Sequence, residues 1–210
     1  MTKYTSEDLL SMDSNYRRNF MNTLAGFKSA NLLGTINESK INNLAIFNSV
    51  VHIGANPPLM GFLLRPLTVI RQTYENIKSS NYFTFNHVNT GIVAQAHQTS
   101  AKYDQHTSEF EATQLTVENS DKHPAPYVAE SKIKIGLKYR EEHLIKANDT
   151  LLIIGEVIEV IVNPSFISED GFIHLDQAET VAISGLDGYY KAQKINRFQY
   201  ARPGKKSSII

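Results

Sequence analysis

The stretch that decides the fold is Asn43-Leu44-Ala45-Ile46-Phe47-Asn48-Ser49-Val50-Val51, followed by Asn56-Pro57-Pro58-Leu59-Met60-Gly61-Phe62. Its first part is apolar and rich in β-branched residues, which is typical of a strand. The two prolines lack the amide hydrogen that a sheet needs, so they end one strand and begin the next, a buried strand over 59–64. The stretch therefore predicts consecutive β-strands.

Similar runs lie on both sides of this stretch and are separated by turn residues. Helical spacing of apolar residues occurs at 6–24, 68–78 and 92–100, with short helical possibilities around Ala178. The strands are not each followed by a helix, which disfavours a doubly wound parallel sheet and favours a closed antiparallel barrel with a few attached helices. With a hairpin turn at 37–43, we predict strands over Ala30–Thr35, Leu44–Ile53, Leu59–Arg65, Tyr82–Val88, Lys132–Tyr139 and Thr150–Val162.

Composition removes several classes of function. The 210-residue chain carries 21 Lys and Arg against 21 Asp and Glu, so its formal net charge is zero, which argues against nucleic-acid binding through bulk charge. It has no cysteine, so disulfides, thiolate metal sites and a Cys nucleophile are excluded. No apolar run approaches the roughly 18 residues of a membrane span, and the polar start is unlike a signal peptide. We expect a cytoplasmic protein that binds neither membranes nor nucleic acid.

The common catalytic signatures are missing from the sequence. It contains neither of the glycine-rich patterns that bind phosphates at the start of a helix, nor the nucleophile pattern Gly-x-Ser-x-Gly. His97, His106 and His123 share a polar region with several carboxylates, but their spacing matches no standard ligand pattern. We therefore predict no metal site, and no catalytic residue is assigned.

Polar residues in apolar surroundings are the candidate binding groups. Asn48 and Ser49 interrupt an apolar strand, where each unpaired group costs about 1 to 3 kcal/mol. They either pair with the backbone or face a ligand. Arg65 follows a buried strand and precedes the predicted helix at Thr68, whose amide groups would favour an anion. Arg65 is accordingly either a phosphate ligand or part of a surface ion pair.

The order of several motifs along the chain resembles that of a known protein family. The strand motif Asn43–Ser49, the Asn-Pro-Pro-Leu-x-Gly-Phe segment and Arg65-Pro66 are followed by Ala96-His97-Gln98-Thr99-Ser100-Ala101, Ser108-Glu109-Phe110-Glu111-Ala112, Leu115-Thr116, Val128-Ala129-Glu130-Ser131, Gly155-Glu156-Val157 and Ser184-Gly185-Leu186-Asp187-Gly188-Tyr189-Tyr190. Over about 27–200 the chain resembles the flavin reductase-like family, in the branch of flavoprotein oxygenases of the nitrilotriacetate monooxygenase component B type.

The resemblance implies an FMN-binding split β-barrel with antiparallel Greek-key strands and a few peripheral α-helices. It further implies a homodimer with FMN near the subunit interface. The flavin ring would lie against the strand at 47–50, and the phosphate and ribityl end would meet the loop at 64–65, Thr73 and the turn at 99–100. The implied cofactor-binding residues are Phe47, Asn48, Ser49, Val50, Leu64, Arg65, Thr73, Thr99 and Ser100. We expect a helical extension at 1–26, the barrel domain at 27–200 and a surface tail at 201–210.

Two departures from the family pattern bear on chemistry. Asn148-Asp149-Thr150 stands where many flavin reductases have Gly-Asp-His, and Asp187 replaces the first glycine of a Leu-Gly-Gly-x-Tyr element. The resemblance predicts an FMN-dependent oxidoreductase that takes electrons from NADH or NADPH and passes them to a small molecule or a partner oxygenase. Two alternatives stay open: a flavin carrier or sensor without turnover, and a barrel for another phosphorylated heterocycle such as pyridoxal phosphate or a haem-related ligand.

Overall fold

The computed structural model describes residues 1–104 and 106–210, and antiparallel strands make up most of its ordered elements. The helices in this part of the chain are α1 (Ser6–Ser11), α2 (Ser14–Leu24), α3 (Gln72–Ser80), α4 (Val93–Gln98) and α5 (Glu109–Thr113). The strands are β1 (Lys28–Ser29), β2 (Asn31–Ile36), β3 (Asn42–Phe47), β4 (Val50–Ala55), β5 (Pro58–Leu64), β6 (Tyr82–His87), β7 (Val117–Ser120), β8 (His123–Val128), β9 (Ile133–Ile145), β10 (Thr150–Val162), β11 (Val181–Ser184) and β12 (Gly188–Lys191).

The main sheet has seven strands in the order β3-β2-β6-β9-β10-β5-β4, and every pairing in it is antiparallel. The two edge strands, β3 and β4, are consecutive in the chain and are joined through Asn48 and Ser49. This corrects the prediction of one continuous strand over 44–53. The break follows from the two polar side chains, which bond to backbone groups outside the strand. It leaves a split between the two edges of the barrel.

Two apolar cores lie on opposite faces of the sheet, as the alternation of side chains along a strand requires. The barrel interior is filled by Phe62, Phe83, Phe85 and their aliphatic neighbours, with Ile77 of α3 among them. The outer face around Leu32 and Leu44 is covered by α4, α5, β8 and β11. The predicted mainly β class is confirmed.

The predicted helix over 68–78 begins four residues later, at Gln72. Thr68, Val69 and Ile70 are β-branched and exposed, so neither helix propensity nor burial favours a helix there. The strand β8 was not predicted because Pro124 and Pro126 interrupt its pattern. Within the described chain β8 pairs with β7 alone, and an edge strand tolerates proline.

Both ends of the chain lie on the surface. The helices α1 and α2 bury no residue, and 201–210 is exposed throughout. The end of the chain is nevertheless held by a bridge between Phe198 and Ile209, so a tail beginning at 201 divides a small hairpin. No helix in the described residues is long and apolar enough to cross a membrane.

Candidate functional site

The junction between β3 and β4 is fixed by hydrogen bonds of its two polar side chains. Asn48 Nδ2 donates to the Gly185 carbonyl at 2.7 Å, and Ser49 Oγ donates to the Leu63 carbonyl at 2.9 Å. The Leu63 amide donates back to the Ser49 carbonyl at 3.3 Å. The two alternatives for these residues were pairing with the backbone and facing a ligand. In the folded chain, both side chains pair with backbone carbonyls. Their bonds hold the junction against the end of β5 and the loop at 185.

Three of the predicted site residues present backbone rather than side chain to any ligand. The Phe47 ring packs edge-on against Phe62, with centroids 5.0 Å apart, and Leu64 is 3% exposed in the barrel core. Val50 is half-buried against the same core and pairs with Phe62. These side chains belong to the barrel interior, so a ligand at 47–50 would meet main-chain amides and carbonyls.

The outer edge of β3 offers such main-chain groups. The Leu44 amide donates to Glu109 Oε2 at 2.9 Å, so it points away from β2. Backbone groups alternate in direction along an edge strand, so those of Ile46 point the same way. Burial raises the pKa of the Glu109 carboxyl, while its bond from the Leu44 amide acts in the opposite direction. Among the described residues, the main-chain groups of Ile46 therefore point outward from the sheet, towards the space beside the junction.

A candidate anion site lies next to the end of β5. Arg65 is exposed and makes no ion pair or hydrogen bond with any described residue. The N-cap of α3 is Arg71, which makes no side-chain capping bond, so the first amides of this nine-residue helix are available. Arg71 Nε is buried without a partner. Two arginines and an uncapped helix start are the donor set that a phosphate requires.

Thr73 lies close to this helix start, but its side chain faces inward. It is 6% exposed, and its Oγ1 accepts a hydrogen bond from Asn43 Nδ2 at 3.4 Å. The hydroxyl is turned towards β3, and the implied role of Thr73 at the phosphate and ribityl end of a flavin stays a prediction. Arg71, the N-cap of the same helix, is a candidate that was not among the predicted residues. A second basic residue directly before a helix was the sequence signal that could have revealed it.

Thr99 and Ser100 end α4. Thr99 Oγ1 donates to the Ala96 carbonyl at 2.8 Å, and Ser100 Oγ donates to the His97 carbonyl at 2.7 Å. Neither side chain is hydrogen-bonded to the junction or to the loop at 64–71 in the described chain. The structure thus brings 47–50 together with 64–65, and it leaves these two hydroxyls engaged in ending the helix.

A depression of about 480 Å³ lies beside α4 and the turn before β12. The Asn48 bond to Gly185 connects this turn to the junction. On one wall, His97 Nδ1 lies 3.1 Å from the Tyr189 hydroxyl. Burial, with a smaller contribution from Asp187, raises the pKa of Tyr189 to about 12. His97 and Tyr189 lie 92 residues apart in the sequence, and it is the fold that brings them together.

Histidine and carboxylate side chains do not gather into a metal site in the described residues. His123, one of the three histidines singled out, is buried with its ring nitrogens 3.2 and 3.1 Å from the carbonyl oxygens of Ala125 and Leu137. That ring is enclosed by backbone and is not accessible to a ligand.

Fold and site together define a split antiparallel barrel with a phosphate-type donor set beside an open strand edge. The chain belongs to the family described as flavin reductase like domain, whose model matches residues 25–177. The resemblance found in the sequence motifs is thereby confirmed. No curated protein matches the chain.

Solved structures extend the comparison. A putative flavin reductase with a split barrel domain from Shewanella frigidimarina is 46% identical, with 96% of this chain and 100% of that chain covered and a TM-score of 0.92. Nitrilotriacetate monooxygenase component B from Bacillus cereus is 18% identical over 94% and 98% of the two chains, with a TM-score of 0.81. An FMN-binding protein from Thermus thermophilus is 16% identical over 96% and 100%, with a TM-score of 0.70. The last two show likeness of fold alone, and the predicted split barrel is confirmed.

Proposed function

We propose that this protein is an FMN-dependent oxidoreductase of the flavin reductase type. The observation that carries the proposal is the phosphate-type donor set formed by Arg65, the unpartnered Nε of Arg71 and the uncapped start of α3. Arg65 follows the end of β5, where the Leu63 carbonyl accepts a bond from Ser49 of the junction, and the Arg71 guanidinium reaches the Pro66 carbonyl. The FMN-binding protein of the same fold from Thermus thermophilus supports the choice of cofactor.

The phosphate would be held at the loop from 65 to 71. Arg65 is free to extend over an anion, and the first amides of α3 add uncharged donors with the positive end of the helix dipole. Arg71 Nε would gain the hydrogen bond that it lacks. Each charge-assisted bond contributes about 1.5 to 3 kcal/mol, so the site favours FMN over a flavin without phosphate.

The flavin ring would lie along the open edge of β3 and the junction. Its polar edge needs both donors and acceptors, which the outward-pointing main-chain groups between Ile46 and Val50 would provide without a charged side chain. Asn48 and Ser49 keep these groups in place through their bonds to Gly185 and Leu63. Bound FMN supplies hydride and electron transfer, for which no acid or base of the protein is required. The role of the protein is to hold the flavin ring in position.

NADH or NADPH is the proposed electron donor, and turnover is expected to be slow. Thr150, which stands where many flavin reductases have histidine, bonds its hydroxyl to Asn148 Oδ1 at 2.7 Å. At this position the nicotinamide donor would therefore meet a hydroxyl that is already hydrogen-bonded, in place of an imidazole. The same observation favours the second candidate, a flavin carrier or sensor without nicotinamide-dependent turnover.

Assembly as a homodimer is part of the proposal, with a small molecule or a partner oxygenase as acceptor. Leu63, Val51 and Ile53 are 38%, 40% and 41% exposed on the outer face of β4 and β5. A second copy covering this apolar face would also lie next to the junction, because Ser49 bonds to Leu63.

The decisive experiment is the absorbance spectrum of the protein purified without added cofactor, followed by mass analysis of what heat releases. We expect a flavin spectrum and the mass of FMN. Anaerobic NADH or NADPH should then bleach the flavin, with dithionite as the control for a redox-competent ring. Bleaching by dithionite alone would replace the reductase with the carrier, and a different released heterocycle would overturn the flavin assignment.

A further inference from the structure

The depression beside α4 is not used by the contacts proposed for FMN, yet its lining is chemically specific. Its lining combines the apolar side chains of Val93 and Ala94 with the polar side chains of Gln95, His97, Asp187 and Tyr189. A volume of about 480 Å³ lies in the range of pockets that hold small organic molecules. A lining of apolar and polar side chains fits a flat ring with one or two polar substituents.

The Tyr189 hydroxyl is positioned by contacts of its ring and by His97. Its ring packs against the outer core, and the His97 ring stands at 89° to it with Nδ1 3.1 Å from the hydroxyl oxygen. When His97 carries its hydrogen on Nδ1, it donates to that oxygen. The hydroxyl hydrogen is then directed to another acceptor, such as a carbonyl in the depression.

Asp187 sets the charge that the depression accepts. It is exposed at the same depression, and it occupies a position where the family pattern noted above has glycine. A carboxylate there repels an anionic ligand and leaves an uncharged one unaffected. Because the pKa of Tyr189 is raised to about 12, its hydroxyl stays protonated and remains a donor under ordinary conditions.

We propose that this depression binds small uncharged aromatic carbonyl compounds, with the carbonyl oxygen accepting a hydrogen bond from Tyr189 and with Asp187 excluding carboxylates. The proposal rests on the proposed function and deepens it, because it names the class of molecule admitted beside the flavin. The bond from Asn48 to Gly185 holds the turn of the depression against the junction where the ring of FMN is proposed to lie.

The test compares acetophenone with benzoate, which have similar size and differ in charge. Binding to the full-length protein is measured by saturation-transfer NMR, and the flavin absorbance is recorded in the same titration. We expect acetophenone to bind at least about tenfold more tightly than benzoate. Tyr189→Phe keeps the ring and removes the donor, so acetophenone should bind about three- to tenfold more weakly.

Matched variants separate the two roles. Tyr190→Phe removes the hydroxyl of the neighbouring tyrosine, whose ring packs on Phe27, and should change neither affinity. Asp187→Asn should tighten benzoate towards acetophenone, whereas Asp121→Asn, at an exposed carboxylate elsewhere, should not. Equal affinities in the wild type, or no effect of Tyr189→Phe, would overturn the proposal. Failure to take up any flavin would overturn the proposed function instead. The NMR comparison would still test ligand binding in the depression.

Discussion

Single residues decide what the proposed phosphate site recognises. Arg65 is exposed and unpaired among the described residues, so its removal should leave the fold intact. We expect Arg65→Ala to weaken FMN binding about 10- to 100-fold, because one charge-assisted hydrogen bond is lost, and to leave riboflavin binding nearly unchanged. Fluorescence titration of the flavin-free protein measures both, with Arg202→Ala in the exposed tail as the control. An equal loss for both flavins would contradict the phosphate assignment.

His87 shows how one histidine with a buried ring nitrogen couples stability to pH. It ends β6, its Nδ1 is buried without a partner, and burial lowers its pKa to about 4. The unfolded chain takes up this proton near pH 6.5 and the folded chain does not, so stability is present above that pH and is lost as pH falls towards 4. Each tenfold difference in proton affinity is worth about 1.4 kcal/mol, so the loss reaches about 3 kcal/mol.

The variant His87→Gln should remove this pH dependence because it keeps a polar side chain that does not titrate. Urea unfolding at pH 7 and pH 4 measures the free energy of unfolding at both ends of the window. We expect the free energy of unfolding of the variant, relative to that of the wild type, to be higher at pH 4 than at pH 7. His52→Gln, at an exposed histidine of β4, is the control. Parallel pH profiles for His87→Gln and the wild type would refute the account.

At the scale of elements, α5 contacts the edge of β3 through the apolar packing of Phe110 and through one carboxylate. Glu109 accepts the Leu44 amide, and burial raises the pKa of its carboxyl, so ionisation is less favourable in the folded chain than in the unfolded one. The stability that the group contributes is complete below its ordinary pKa and is lost as pH rises through the raised value.

Glu109→Gln keeps an acceptor for the Leu44 amide and cannot ionise. We expect its melting temperature to match the wild type near pH 4 and to exceed it near pH 8. Calorimetry at the two pH values checks this, with Glu111→Gln on the exposed side of α5 as the control. A variant that is less stable than the wild type at pH 8 would show that the ionised carboxylate is needed.

Elements also show where sequence reasoning succeeds and where it stops. The strand over Thr150–Val162 was predicted to the residue, because its apolar run is long and continuous. The break at Asn48 and Ser49 was not, because the partners that stabilise it, Gly185 and Leu63, come from the rest of the fold. The pairing of His97 with Tyr189 was missed for the same reason, since 92 residues separate the two in sequence.

For the whole molecule, the split between β3 and β4 is the feature of the fold on which the proposed function depends. Both edges of the sheet meet at the junction, so the barrel is least closed where main-chain groups are free to meet a flavin. The sequence predicted this architecture through the order of its motifs, and it located Arg65 beside the split. It could not show which hydroxyls face the split, because Thr73 and Thr99 are turned inward by contacts that exist only after folding.

The apolar outer face of β4 and β5 leads to the last prediction, which concerns assembly. Leu63 lies between buried Phe62 and Leu64, so its exposure is a consequence of strand alternation, and covering it would bury apolar surface. We expect light scattering to give twice the 23.6 kDa of one chain. Leu63→Glu should shift the mass to one chain and weaken flavin binding, because the face adjoins the junction. Leu10→Glu on exposed α1 should leave both unchanged. A wild-type mass near one chain with flavin still bound would contradict the dimer.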